Sequence, residues 1–150
     1  VMYEGELVQI GTPQELFESP KHKFVGFFIG SPGMNFLACT VDGNTAMVDG
    51  AGIVLDDDTA ALAQKAQGKM EIGIRPIHLE VHPESVEGGI PAVVKSVQDQ
   101  GSFKILTVNM AGHTLRTRLP EGQAVPSNDA WLRFPKRWTK LFVDERLVNK

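Results

Sequence analysis

The sequence predicts a mainly β domain, a closed barrel or sandwich with one short internal helix, preceded by a β-hairpin and two short helices. Three observations carry that prediction. From residue 34 onward the apolar residues recur with a period of two, in short runs separated by glycine-containing pairs. Many short strands at this spacing are the pattern of barrels and sandwiches. Helix punctuation, by contrast, is confined to residues 11–30 and to one alanine-rich stretch at 59–67. The chain of 150 residues, 42% hydrophobic and 22% charged, is long enough to bury a core without metal or disulfide.

The elements follow in order. Val1–Ile10 reads as a strand already under way, a turn at Glu4-Gly5 and a return strand. A lone hairpin is marginal in water, so its partner strands are expected elsewhere and the chain is expected to be a fragment. Thr12 and Glu15 form a capping box with Pro13 at the first helical position, predicting a helix over 13–18. Ser19-Pro20 repeats the signal and predicts a second helix ended by Gly30 and Pro32. Its Phe24, Val25, Phe27, Phe28 and Ile29 cover more than half its circumference, so deep burial is expected. Strands are predicted at 36–41 and 45–48 around a tight Asp42-Gly43 turn, and at 53–55. Asp56, Asp57 and Asp58 lead into the helix at 59–67, complementing its dipole, and Gly68 ends it. The rest reads as strands near 70–75, 77–82, 89–98, 102–110, 113–119, 129–135 and 140–143, with turns at Gln100-Gly101 and Ala111-Gly112.

Chemistry-bearing motifs are scarce. No GxxxxGK[ST], GxSxG or HExxH occurs, and Gly68-Lys69 is followed by Met70 where a phosphate loop needs a hydroxyl. The lone Cys39 excludes an internal disulfide and sits in a predicted strand as an inert core thiol. His78 and His82 flank Glu80, but Pro76 and Pro83 favour an extended segment with surface or interface histidines over a metal site. The net charge of -3 is uneven: residues 1–100 hold 6 Lys+Arg against 14 Asp+Glu, and residues 101–150 hold 9 against 4. Within that basic third, Arg133, Lys136, Arg137 and Lys140 alternate with Trp131, Phe134 and Trp138. Aromatic residues among cations can stack bases, but a strand with a solvated turn explains the same residues.

Two stretches carry a family resemblance. The first is Glu4-Gly5 with Gln9-Ile10-Gly11-Thr12-Pro13-Gln14-Glu15-Leu16, followed by the run from Phe24 through Ser31-Pro32-Gly33 to Leu37. It resembles the C-terminal part of the ATP-binding subunit of sugar-type ABC importers, similar to maltose and glycerol-phosphate transporters. The second, Gly73-Ile74-Arg75-Pro76-Ile77-His78-Leu79, resembles that family's GIRPEHL, with Ile77 in place of the glutamate. More loosely, Val97–Arg118 with Gly101, Gly112 and Leu115-Arg116-Thr117-Arg118 resembles a transport-associated OB (TOBE) segment.

The resemblance implies an OB-type, TOBE-like β-barrel. Residues 1–30 would close a nucleotide-binding domain, and residues 31–150 would form a regulatory and dimerisation domain. ATP and magnesium would belong to the intact parent, whose phosphate loop, signature motif, magnesium carboxylate and switch histidine lie upstream, leaving no cofactor, metal or catalytic residue in this chain. Implied partners are a second copy, the membrane permease subunits, the ATP-binding domain and a regulatory protein, at the cytoplasmic face of the inner membrane. Phe36 falls where a regulator would dock, and Arg75, Pro76 and His78 fall at interdomain or dimer contacts. Two other readings stay open: a sensor of a small solute or oxyanion, and an OB-type nucleic-acid binder built on Trp131–Lys140.

Overall fold

The chain was analysed as a computed structural model, which describes residues 1–148. Strands β1 (Met2–Tyr3) and β2 (Glu6–Leu7) form an isolated hairpin whose turn residues Glu4 and Gly5 both take positive φ. Helix α1 (Pro13–Glu18) starts as expected: Thr12 Oγ1 accepts from the Glu15 N–H, and the Glu15 carboxylate accepts from the Thr12 N–H. Helix α2 (Lys23–Phe28) starts three residues later than the Ser19-Pro20 signal suggests, with His22 Nδ1 accepting from the Phe24 N–H as its cap. Tertiary hydrogen bonds explain the delay. The Lys21 N–H donates to the Gln9 side chain, and the Lys21 carbonyl accepts from the Leu147 N–H, which holds residues 19–21 extended.

The β region follows. Strands β3 (Asn35–Asp42), β4 (Thr45–Val48) and β5 (Ala51–Val54) form a meander, and its first turn is at Gly43-Asn44 rather than Asp42-Gly43. Helix α3 (Asp57–Lys65) begins two residues before the expected position because Asp56 caps it, accepting from both the backbone and the hydroxyl of Thr59. Then come β6 (Met70–Ile74), β7 (Glu80–His82), β8 (Ile90–Asp99), β9 (Phe103–Met110), β10 (His113–Pro120) and β11 (Asp129–Arg133). A 3₁₀ turn at Lys136–Trp138 leads into β12 (Lys140–Val143) and the short β13 (Arg146–Leu147). The strand expected at 77–82 is halved. Residues 75–79 form a turn instead, with the N–H groups of His78 and Leu79 both donating to the Arg75 carbonyl.

The strands assemble into two antiparallel half-barrels. One has the order β13-β12-β6-β3-β4-β5 and the other β10-β9-β8-β11-β7. Inward-facing alternate residues from both, such as Leu37, Ile53, Ile72, Leu106, Leu115, Leu132 and Leu141, make one continuous core. At one seam the sheets are joined by side chains. The Asn35 amide accepts from the Arg116 N–H (2.9 Å) and donates to the carbonyls of Arg116 (2.8 Å) and Ile74 (3.2 Å). Beside it, the Arg118 N–H donates to the Pro76 carbonyl at 2.9 Å.

The expectation of deep burial for α2 holds on one face only. Val25 and Gly26 are buried, whereas Phe27 and Phe28 are 68% and 64% exposed. The barrel is wide enough to cover one stripe of a two-turn helix, and nothing else among the described residues covers the other.

Candidate functional site

The four residues singled out by the sequence lie along the junction between residues 1–30 and the half-barrel of β3 and β6. Arg75 is at its centre, only 2% exposed and directly after β6. Short helices leave their last carbonyls without partners, and α1 and α2 both aim such carbonyls at its guanidinium. Nη1 donates to the Gly26 carbonyl at 2.7 Å and to the Ile29 carbonyl, Nε donates to the Phe17 carbonyl at 3.1 Å, and Nη2 reaches the Leu16 carbonyl at 3.5 Å. The guanidinium also lies over the Phe17 ring, 4.4 Å from its centroid. Burial pulls its pKa down to about 10, still far above neutral, so the cation persists at physiological pH. Gly30, at φ 115°, gives it room, since a β-carbon there would come within 3.0 Å of Nη1.

His78 and Pro76 complete the same corner. The His78 ring stacks on Trp138 with centroids 3.9 Å apart and planes 8° apart, and it meets Phe17 edge-on at 6.3 Å. Desolvation lowers its pKa first, and the nearby charges of Arg75, Lys140 and Arg137 add to this against an opposing pull from Glu18. Pro76 is buried and lends its carbonyl to the seam with Arg118. Ile77, which replaces the family's glutamate, is half exposed.

Phe36 lies in β3 at the edge of this junction. It packs edge-on against Phe142 at 5.2 Å, lies beside Gly26 of α2, and carries the Lys23 ammonium 5.4 Å above its ring. Lys23 is also the second clasp. Its Nζ bonds the buried carboxylate of Glu71 at 2.7 Å, its backbone N–H donates to the Glu145 carbonyl, and His22 bridges to Arg146. Residues 1–30 are therefore fastened to the β region at two places.

Sequence reasoning missed Asn35 and Glu71. Asn35 stands next to the quoted Phe36, but its task, imitating a strand to close the seam, depends on residues about eighty positions away. Glu71 has one buried carboxylate oxygen without a hydrogen-bond partner, and its alternation with apolar neighbours in β6 gives no hint of the Lys23 contact.

The remaining candidates have structural partners. Burial pushes the Cys39 thiol up to about 11, with Glu71 adding to the shift, so it is protonated at neutral pH and a poor nucleophile. His82 bonds Glu80 at 2.9 Å, and Arg133 grips the same carboxylate. Desolvation pushes the Glu80 carboxyl up, but these two partners outweigh it and hold it below its ordinary value. His78 is engaged with Trp138 and His82 with Glu80, and the described residues contain no group of three metal-ligating side chains. In the aromatic-basic segment Phe134 is buried and Trp138 is covered by His78 and Arg137, so two of its three rings offer no free stacking face.

Comparison with known proteins places this architecture. Residues 30–79 match the MalK OB fold domain family. That span runs from Gly30 through the Arg75 corner, and the chain as a whole is similar to the region of ABC importer ATP-binding proteins that carries the MalK OB fold. Its relatives include the sn-glycerol-3-phosphate import ATP-binding protein UgpC of Escherichia coli O1:K1, 36% identical over 148 residues, or 97% of this chain and 41% of that protein. The UgpC of Salmonella typhi is 33% identical over 146 residues, with the same 97% and 41% coverage. The UgpC of Bordetella pertussis is 37% identical over 119 residues, covering 79% of this chain and 32% of that protein. The chain thus spans about a third to two fifths of the length of these relatives. No helix among the described residues is long and apolar enough to cross a membrane.

Proposed function

We propose that this chain is the regulatory and dimerisation part of an ABC importer's ATP-binding subunit, serving uptake of glycerol phosphate or a related sugar or polyol. The observation that carries this reading is the Arg75 clasp: one buried cation gathers the carbonyl ends of both N-terminal helices onto the barrel. Together with Lys23–Glu71, it makes residues 1–30 and the β region move together. A displacement of an attached ATP-binding part would then reach the barrel as a rigid rotation rather than dissipate in a linker. Two barrels in contact would hold two subunits together while their ATP-binding parts separate and close. A regulator acts on such a pair only if it binds one arrangement more tightly than the other.

In this reading residues 1–30 close a nucleotide-binding domain and residues 31–150 are the regulatory domain. Arg75, Pro76 and His78 serve the interdomain contact, and Phe36 stands where a regulatory protein or the second copy approaches. The chain carries no phosphate loop, so ATP and magnesium belong to the rest of the subunit, and this chain alone neither binds nor hydrolyses ATP. Its other partners are the permease subunits at the cytoplasmic face of the inner membrane.

The test is the mass of the chain in solution, by size-exclusion chromatography with light scattering. A reversible dimer is expected that persists when Phe27 and Phe28 are both replaced by serine. A strict monomer at millimolar concentration, or a dimer abolished by those two substitutions, removes barrel-mediated dimerisation from the proposal.

A further inference from the structure

Strand β5 ends its sheet and leaves one edge unpaired by another strand among the described residues. There, the free edge of β5 faces the segment Arg133–Arg137 across a cleft of about 670 Å³, with Glu87 and Gly88 at one end. That size falls within the usual range for small-molecule sites.

The walls differ in chemistry. The Leu55 N–H donates to the Asn44 carbonyl, so alternation turns the backbone groups of Gly52 and Val54 away from β4 and towards the cleft. They have no strand partner, since β5 ends its sheet. The opposite wall is cationic. Arg133 is neutralised by Glu80, but Lys136 and Arg137 have no carboxylate within ion-pair distance among the described residues. Among the described residues, the only carboxylate in the lining is Glu87. Between the walls lie apolar surfaces of Val54 and Ile90.

We propose that this cleft binds a small organic anion, a phosphate or carboxylate carried on a hydroxyl-bearing body. The anionic group sits between Lys136 and Arg137, where charge-assisted hydrogen bonds are strongest. The hydroxyls exchange hydrogen bonds with the outward N–H and C=O groups of Gly52 and Val54, and the carbon skeleton lies on Val54 and Ile90. A bare anion uses one wall only and binds more weakly. A neutral polyol lacks the contacts that distinguish this wall from any other surface. Because every contact comes from one copy of the chain, binding does not depend on dimerisation or on the transporter reading.

Amide chemical shifts of the 150-residue chain, titrated with glucose 6-phosphate, 3-phosphoglycerate and citrate, test this, with inorganic phosphate and glucose as comparison probes. Expected are saturable shifts at Gly52, Val54, Gly88 and residues 136–137 for at least one organic anion, weaker binding of phosphate and none of glucose. The double variant Lys136→Gln, Arg137→Gln should raise the Kd roughly tenfold or more, because it removes two hydrogen bonds to a charged group, and should leave the thermal midpoint within a few degrees. The proposal is overturned by no saturable shift for all three organic anions, or by shifts elsewhere on the barrel. Equal binding of glucose or of inorganic phosphate overturns it too, as does an unchanged Kd in the double variant.

Discussion

Arg75 is a buried cation without a buried anion, satisfied by backbone carbonyls drawn from residues about fifty to sixty positions earlier. Hydrogen bonds to a charged group are worth about 1.5–3 kcal/mol each, so Arg75→Met should destabilise the chain by at least about 3 kcal/mol, read from urea unfolding. Arg75→Lys should recover little, since a single ammonium cannot serve carbonyls from both helices at once. His78 supplies a pH signature from the same corner. Its folded pKa lies below its ordinary 6.5, chiefly through desolvation and then through Arg75. Between those two values the unfolded chain holds more of the proton. Stability is therefore fully present above about pH 6.5 and is lost as the pH falls towards the folded value. His78→Phe keeps a flat ring for Trp138 and should flatten the slope of stability against pH just below 6.5, measured by thermal unfolding. A slope identical to that of the parent would assign the acid sensitivity elsewhere.

At the scale of elements, the barrel is held on one side by a side chain doing the work of a strand. Asn35 pairs with both backbone groups of Arg116 and with the Ile74 carbonyl. Asn35→Leu keeps comparable bulk but strands these groups, at a cost of about 1–3 kcal/mol, and hydrogen exchange of the Arg116 amide should accelerate ahead of its neighbours in β10. The strands themselves were readable because a period of two marks a half-buried strand whatever it pairs with. At α2 and at 77–82 the expected positions were missed because a distant partner had intervened. Helix α2 starts late because Gln9 and Leu147 claim the backbone of Lys21. The 77–82 strand shortens because Arg75 must turn away from the sheet to reach α1 and α2.

For the whole molecule, the telling contrast is between two faces of residues 1–30. One is fastened through Arg75 and Lys23; away from it Phe27 and Phe28, neighbours on α2, are exposed. Neighbouring exposed phenylalanines invite contact with another apolar surface. Phe27→Ser with Phe28→Ser should leave unfolding stability within about 0.5 kcal/mol while lowering non-specific self-association in static light scattering at high concentration. Marked destabilisation would mean that the stacking of Phe28 on Phe24 contributes substantially to folding. The uneven charge noted in the sequence also finds its place: part of the basic third lines the cleft where Lys136 and Arg137 face the edge of β5.

Local rules alone determined much of this protein. Capping chemistry gave α1 and α3 their beginnings to within a few residues, alternation gave most strands, and two motifs gave the family resemblance. These signals act between near neighbours in the chain, so a linear reading captures them. The tertiary structure alone decided what Arg75, Asn35 and Glu71 do, which face of α2 is covered, and what faces the edge of β5. Each depends on groups brought together from tens of residues apart, and a buried charge or amide is defined by the partners that surround it rather than by its position in the sequence.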